Sequence, residues 1–178
     1  MSAGRRPRWG WHRLADDAAR KVVARTPVRP GDLVVDLGAG CGALTRHLVA
    51  AGAEVIAVEL HPERLAELRR RFAGHPVTVV RADVRDLRLP RRPFRVVANP
   101  PFEATDAILR RLLGRGSALV SADLVLPRHA VERWAGPSAP GAGRWRREWH
   151  AGSGGALPRR WFRPAAPMPI EVLRIRRR

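Results

Sequence analysis

The sequence predicts an α/β fold: a mostly parallel sheet with helices on both faces and a late antiparallel hairpin. Three observations predict it. Short apolar segments typical of buried strands alternate with segments of helical periodicity. A glycine cluster, Gly38 to Gly42, ends one strand and opens a helix, and the acids Glu59 and Asp83 follow the next two strands. Because parallel strands end at one edge of a sheet, these features are expected to meet there.

The chain divides into a basic arm, residues 1–10, and a single domain, residues 11–178, that ends in a basic tail. Apolar residues recur at helical spacing from Leu14 to Val23, where Asp16 and Asp17 suit the positive end of the helix macrodipole.

The remaining elements are predicted from apolar runs, from the periodicity of apolar residues, and from glycines and prolines that end strands and helices. The predicted strands are Leu33–Leu37, Glu54–Val58, Val77–Val80, Phe94–Ala98 and Ser117–Leu126, and the predicted helices are Ala43–Ala51, Pro62–Phe72 and Ala104–Leu113. Arg144–Trp149 and Ile170–Ile175 are predicted to form a terminal hairpin, with loops at Pro137–Gly143 and Gly152–Pro158.

Charge is the strongest compositional signal. The chain has 34 Lys and Arg against 16 Asp and Glu, a formal net charge of +18, and Lys21 is its one lysine. Such an excess favours a polyanionic partner, because each neutralised phosphate releases counterions. Nucleic acid is the first interpretation; an anionic membrane surface and a protein that is merely basic are the alternatives.

Several function classes are not favoured. Cys41 is the one cysteine, so no disulfide framework or cysteine-rich zinc site is expected, and the six histidines show no metal-ligand spacing. No run approaches the roughly 18 apolar residues of a membrane span, and the N-terminus lacks the apolar core of a signal peptide. We therefore expect a cytoplasmic protein, monomeric, without metal or membrane.

The glycine cluster predicts a cofactor site. Its backbone can turn tightly and approach a ligand, and the N–H groups of the following helix suit a carboxylate. Glu59, 19 residues after Gly40, is placed to accept from both ribose hydroxyls, and Asp83 to read an adenine amine. Taken alone, the glycine cluster also fits a structural turn, and Glu59 or Asp83 also fits a surface charge or a helix cap. Together they predict a cofactor that contains adenosine.

The segment Asn99-Pro100-Pro101-Phe102 follows the fourth strand and fits methylation of an amine conjugated to a ring. Such an amine must move towards sp3 geometry before its lone pair can attack a methyl group. Acceptors aimed at its hydrogens, the Asn99 side-chain oxygen and the Pro100 carbonyl, assist that change. Consecutive prolines remove competing N–H donors, and Phe102 offers a stacking face. The alternative is an Asn-Pro turn beside a core phenylalanine.

These residues resemble the ribosomal RNA adenine N6-methyltransferases of the Erm and KsgA/Dim1 group, from about Trp9 to Pro167. The resemblance implies a Rossmann-like class I fold that uses S-adenosylmethionine. Asp36 to Thr45 matches the family's glycine motif, and Asn99 to Phe102 its Asn-Ile-Pro-Tyr/Phe motif with Pro100 in place of Ile. Gly10 to Leu14 corresponds to a Gln-Asn-Phe-Leu-like segment that covers the cofactor, with Leu14 matching and His12 in the Asn position.

The resemblance implies the following site. The catalytic residues are Asn99, Pro100 and Phe102; the cofactor-binding residues are His12, Leu14, Gly38, Ala39, Gly40, Glu59, Leu60, Asp83, Val84 and Asn99. Phe102 and the late aromatic Phe162 are expected to hold the target base.

The family normally carries a C-terminal helical domain, whereas this chain ends at Arg178. We expect arginines at both ends to grip RNA phosphates instead: Arg5, Arg6, Arg8, Arg176, Arg177 and Arg178. A minimal Erm-like enzyme is the best match, which implies methylation of an adenine in 23S ribosomal RNA, naked or in a precursor, and resistance to macrolide, lincosamide and streptogramin B antibiotics.

Four alternatives stay open. Three are enzymes: a small-subunit ribosomal RNA adenine dimethylase, a DNA adenine methyltransferase and a protein glutamine methyltransferase. The fourth, from another class, is a non-catalytic RNA-binding module.

Overall fold

The computed structural model describes residues 12–178. Its strands are β1 Arg13–Leu14, β2 Leu33–Leu37, β3 Glu54–Glu59, β4 Val77–Arg81, β5 Phe94–Ala98, β6 Leu119–Pro127, β7 Trp149–Leu157, β8 Phe162–Arg163 and β9 Ile170–Arg177. Its α-helices are α1 Asp16–Ala24, α2 Ala43–Ala50, α3 Pro62–Arg71, α4 Thr105–Leu112, α5 Arg128–Ala135 and α6 Ala142–Trp145, with single 3₁₀ turns at Phe102–Ala104 and Arg159–Trp161.

Seven strands form the central sheet in the order β4-β3-β2-β5-β6-β9-β7. The first five run parallel, and β9 runs antiparallel between β6 and β7. The chain moves outward from β2 to β3 and β4, then returns to place β5 on the other side of β2. The carboxyl ends of β2 and β5 therefore flank the topological switch point, the crevice where open α/β sheets bind ligands.

Helices cover both faces because strand residues alternate between two cores. Val34 packs with α1 and α2 in one apolar cluster, whereas its neighbours Leu33 and Val35 pack with α4 and α5 in another. This arrangement confirms the predicted mostly parallel sheet with helices on both faces.

The late antiparallel hairpin is confirmed, but its first strand was predicted too early in the chain. Trp145 ends the short helix α6, and the strand is β7, which covers most of the predicted loop Gly152–Pro158. Glycine disfavours strands, yet β7 forms because β9 supplies its hydrogen-bond partner along most of its length. Helix α5, which directly follows β6, had no predicted counterpart.

A second, two-stranded sheet covers the carboxyl edge of the main one. Strand β1 pairs antiparallel with β8, with Arg13 opposite Arg163 and Leu14 opposite Phe162. This pairing brings the start of the described chain to the crevice.

Candidate active site

The glycine loop after β2 forms one wall of the crevice. Gly38, Gly40 and Gly42 all have positive φ, of 72°, 59° and 87°. The N–H groups of Gly38 and Ala39 donate to the carbonyl of Val58, which ties the loop to β3. A Cβ added to Gly38 would lie 2.9 Å from Cδ of Pro101. Glycine at 38 therefore lets the loop touch the segment after β5.

The Gly38→Ala substitution should cost about 1–3 kcal/mol of stability and lower activity. The positive φ and the contact with Pro101 must both be relieved, and relief moves the segment that carries Asn99 away from the loop. Gly31→Ala is the matched control, because Gly31 has a φ of 84° but nothing within 4 Å of its added Cβ. Chemical denaturation and initial rates would measure both effects; equal losses in the two variants would contradict a role for the close approach.

Glu59, at the end of β3, is 6% exposed and holds the loop together. Its Oε1 accepts from the N–H groups of Leu60 and His61 at 2.9 and 2.8 Å, and its Oε2 accepts from Gly40 N–H at 2.8 Å. A carboxylate offers about four acceptor positions. One position on Oε2 is left, so in this conformation Glu59 has room for one ribose hydroxyl rather than the two expected.

A cleft of about 420 Å³ extends from Gly38 along Glu59 to the end of β4. Leu60 is the one exposed large apolar side chain in residues 12–178, and it lines this cleft with the buried Val84. The Nδ1 atom of His61, which also lines the cleft, is buried without a hydrogen-bond partner in the described chain. The cleft thus combines apolar walls suited to a flat ring with polar atoms available to a ligand.

Asp83 lies in the same cleft but is not free. Both of its oxygens accept from the Arg85 side chain, and Oδ1 also accepts from the Arg85 N–H at 2.9 Å. These hydrogen bonds hold the pKa of the Asp83 carboxyl below its ordinary value. Asp83 is therefore ionised and can accept from an amine, through an acceptor position that Arg85 leaves open or after Arg85 moves aside.

Asn99 follows β5 on the other side of the switch point. Its Nδ2 donates to the backbone carbonyl of His12 at 2.8 Å. A carbonyl can only accept, so this bond fixes the amide with Nδ2 towards His12 and leaves Oδ1 as the acceptor of the group. A small recess beside it is lined by Leu14, Asp36 and Gly38, so the amide stands between the glycine loop and β1.

Phe102 and His12 complete this end of the site. Their rings are stacked, with centroids 6.3 Å apart and an interplanar angle of 23°. His12 Nδ1 also lies 3.4 Å from the carbonyl of Pro164, next to β8. Pro100 is buried and Phe102 is half-buried, so the Phe102 ring keeps some surface for a ligand.

Asp36, at the end of β2, is 1% exposed and accepts a hydrogen bond from Thr45 Oγ1 at 2.7 Å. Burial raises the pKa of its carboxyl to about 7, and the neighbouring charge of Glu59 acts in the same direction, while the Thr45 bond opposes it. At neutral pH the protein therefore holds this carboxyl close to its midpoint of ionisation.

This pKa predicts a pH-dependent stability. The folded protein binds a proton that the unfolded chain releases near pH 4, so the contribution is fully present below about pH 4 and is lost as pH rises through about 7. Between pH 5 and 8 the loss should be on the order of 2–3 kcal/mol. Asn in the variant Asp36→Asn still accepts from Thr45 but does not ionise, so urea unfolding should show a flatter pH profile. Parallel profiles for wild type and variant would rule out Asp36 as the source.

The structure corrects the role of Phe162. Its side chain is fully buried, opposite Leu14 across the small sheet and packed in the cluster that contains α1. The ring has no surface left for stacking on a base in this conformation. Its contribution is to hold β8 and β1 together over the site.

The C-terminal arginines lie away from the glycine loop. Arg176 pairs with Ser121 near the start of β6, so it lies at the amino ends of the parallel strands, whereas the glycine loop lies at their carboxyl ends. Its guanidinium is 2.8 Å from the buried carboxylate of Asp123. Arg177 is 3.4 Å from Glu148, and the Arg178 N–H donates to the Glu148 carbonyl. Arg176, Arg177 and Arg178 therefore lie away from the candidate active site, and their contact with RNA phosphates stays a prediction. Arg5, Arg6 and Arg8 lie outside the described residues.

The structure brings together His12, Leu14, Gly38, Glu59, Leu60, Asp83 and Asn99, with Ala39, Gly40 and Val84 beside them; their roles stay predictions. Sequence reasoning missed Arg85 and the backbone carbonyl of His12. The sequence did contain a signal for Arg85, because an arginine two residues after Asp83 can pair with it. It contained none for the His12 carbonyl, because side-chain identity does not show which contacts a backbone carbonyl makes. In residues 12–178 no group of His, Cys, Asp and Glu could hold a metal ion, and no helix is long and apolar enough to cross a membrane.

Comparisons with known proteins place the chain among ribosomal RNA methyltransferases. The profile of the family described as ribosomal RNA adenine dimethylase matches residues 6–147. A ribosomal RNA small subunit methyltransferase A of Thermosynechococcus vestitus is 41% identical over 113 residues, 61% of this chain and 42% of that protein. The mycinamicin-resistance protein MyrB of Micromonospora griseorubida is 45% identical over 95 residues, 53% of this chain and 29% of that protein. The chain thus matches less than half the length of these two curated relatives.

Among solved structures, the 23S rRNA methyltransferase ErmE superposes with a TM-score of 0.80 at 27% identity, over 93% of this chain and 69% of that one.

Proposed function

The chain belongs to the ribosomal RNA adenine dimethylase family, and we propose that it transfers a methyl group from S-adenosylmethionine to the exocyclic N6 of an adenine in 23S ribosomal RNA. One observation carries the proposal. Asn99, the only side-chain amide in the chain, is held by the His12 carbonyl between the glycine loop and β1, with its oxygen free.

The residues present fit the cofactor. The cleft has apolar walls from Leu60 and Val84 for an adenine ring, the Asp83 carboxylate for its amine, and the open acceptor position of Glu59 with the unpaired Nδ1 of His61 for its ribose. The recess next to Asn99, lined by Leu14 and Ala39, shares Gly38 with this cleft, so Asn99 lies next to the cofactor cleft. When bound, S-adenosylmethionine supplies a methyl group on a positively charged sulfur, open to in-line displacement.

Asn99 and Pro100 act on the target amine. The lone pair of an aromatic amine is delocalised into the ring, and hydrogen bonds from the amine to Asn99 Oδ1 and the Pro100 carbonyl favour the pyramidal nitrogen that can attack. The nitrogen would form one bond to the methyl carbon as the carbon–sulfur bond breaks, with the neutral thioether as leaving group, and it would afterwards lose one proton to water. No strong base is required, so most of the rate gain would come from positioning and electrostatics.

Phe102 would hold the base. Its half-buried ring is braced by His12, so a flipped adenine can stack on its remaining face without reordering the site. The same contact keeps His12 in place, and with it the carbonyl that orients Asn99.

The large-subunit target is supported by the 27% identity to the 23S rRNA methyltransferase ErmE, and antibiotic resistance by the 45% identity to the mycinamicin-resistance protein MyrB. On this basis the protein would methylate naked or precursor 23S RNA as a monomer in the cytoplasm and confer resistance to macrolides, lincosamides and streptogramin B. A small-subunit ribosomal RNA adenine dimethylase is the second candidate, favoured by the 41% identity to a small subunit methyltransferase A.

The test is methylation of deproteinised 23S and 16S ribosomal RNA, separately, with methyl-labelled cofactor. We expect label in 23S RNA from the wild type and none from the variant Asn99→Ala, which also separates an enzyme from a non-catalytic RNA-binding module. Label confined to 16S RNA would establish the second candidate, and label in DNA or protein would overturn both.

A further inference from the structure

Arg176 and its neighbours lie at the amino ends of the parallel strands. A different set of cations lies at the carboxyl ends, beside the candidate active site. Strands β1 and β8 lie directly beside the base-holding end of the site, because His12 precedes β1 and contacts both Phe102 and the Pro164 carbonyl. Arg13 and Arg163 face each other across these strands, and both side chains are exposed.

Helix α1 adds two more cations next to this pair. Lys21 Nζ and the Arg25 guanidinium lie over the half-buried ring of Trp161, 5.3 and 5.9 Å from its centroid. The Trp161 carbonyl accepts from Ala15 N–H at 2.7 Å, which fixes the tryptophan to the start of α1. Trp161 thus orders both cations next to β8, at a favourable cation–π distance.

We define the β1–β8 basic surface as the exposed cations around Trp161, namely Arg13, Lys21, Arg25, Arg160 and Arg163. None of these five forms an ion pair with a carboxylate in residues 12–178. The acids at the start of α1 are neutralised by others: Asp16 pairs with Arg46 and His47, and Asp17 with Arg20.

Three arginines of β9 differ in this respect. Arg174 and Arg176 share the buried Asp123, and Arg177 lies 3.4 Å from Glu148. The five cations of the β1–β8 basic surface thus carry positive charge without a carboxylate partner.

We propose that the β1–β8 basic surface binds phosphate groups of the RNA strand on either side of the target adenine, an inference that rests on the proposed function. Guanidinium and ammonium groups supply the sequence-independent phosphate contacts that position a protein on nucleic acid. The surface adjoins His12 and Phe102, so a strand held there delivers its base to the pocket. An anionic membrane fits less well, because the exposed large apolar side chain, Leu60, lies in the cofactor cleft and cannot anchor the surface.

The test compares two double variants of the full chain, Arg13→Gln/Arg163→Gln and Lys21→Gln/Arg25→Gln, with wild type. Arg88→Gln/Arg91→Gln is the matched control, because it removes the same charge. Both arginines are exposed and form no ion pair in the described chain. They precede β5, at the amino ends of the parallel strands. Binding to an oligoadenylate RNA, to a 23S RNA transcript and to phosphatidylserine vesicles is measured against salt concentration.

Each surface variant should bind both RNAs about tenfold more weakly, and the slope of log K against log salt should fall by about 1–2. The control should keep the wild-type slope. The KM for RNA should rise in the surface variants while the KM for cofactor and the melting temperature stay at control values, which separates lost RNA contact from damaged folding.

Wild-type RNA binding and slope in both surface variants would overturn the proposal. So would a loss confined to phosphatidylserine vesicles, which would make the surface a membrane contact. If the wild type methylates RNA while the surface variants bind it normally, this inference alone fails. If the wild type methylates no RNA, the proposed function fails and this inference with it.

Discussion

Asn99→Ala is expected to lower kcat for methyl transfer by at least about 10²–10³-fold even when RNA and cofactor saturate the protein. The side-chain oxygen is the acceptor that favours a pyramidal target nitrogen, and alanine leaves the amine with the Pro100 carbonyl alone. Single-turnover rates with saturating RNA and cofactor measure this step directly.

The fold of this variant should change little. Asn99 is half-buried, and its one side-chain bond within the described residues goes to the His12 carbonyl. A rate within about threefold of wild type at equal melting temperature would remove Asn99 from the reaction, because even one oriented hydrogen bond should cost more than this.

Glu59→Gln has the largest effect expected on cofactor binding. Gln can keep one oxygen towards Leu60 and His61, but its NH₂ then faces Gly40 N–H, donor against donor. The glycine loop loses its tether and the ribose loses its acceptor. An unpaired buried donor costs about 1–3 kcal/mol, so the Kd for S-adenosylhomocysteine should rise about 10–100-fold.

Glu63→Gln is the control for Glu59→Gln. Glu63 is an exposed acid four residues later in the first turn of α3, so the variant removes the same charge without touching the loop. Titration calorimetry should show wild-type affinity for the control. Equal affinity in both variants would show that the Glu59 carboxylate does not support cofactor binding.

Much of the site could be predicted because it depends on strand ends. The apolar runs fixed which residues end β2, β3, β4 and β5, and parallel pairing then placed the glycine loop, Glu59, Asp83 and Asn99 on one edge. Local chemistry was sufficient for this part, because each candidate residue directly follows a strongly apolar strand.

The rest depends on tertiary context. Nothing in the order of residues shows that β9 runs antiparallel to β6. Because of this direction, Arg176 lies near the amino ends of the parallel strands, away from the site. Phe162 is buried because β1 lies against β8, and this pairing joins residues about 150 positions apart. Strand β7 contains Gly152, Gly154 and Gly155, so its composition predicted a loop, but pairing with β9 outweighs that weak preference.

The most direct measurement is nucleoside mass spectrometry of ribosomal RNA after incubation with the protein and isotope-labelled S-adenosylmethionine. We expect the label in N6-methylated adenosine, and its loss in Asn99→Ala. Label on a ring nitrogen, on ribose or on another base would contradict methylation of the exocyclic amine of adenine. No incorporation by a folded protein that binds the cofactor would contradict enzymatic function altogether.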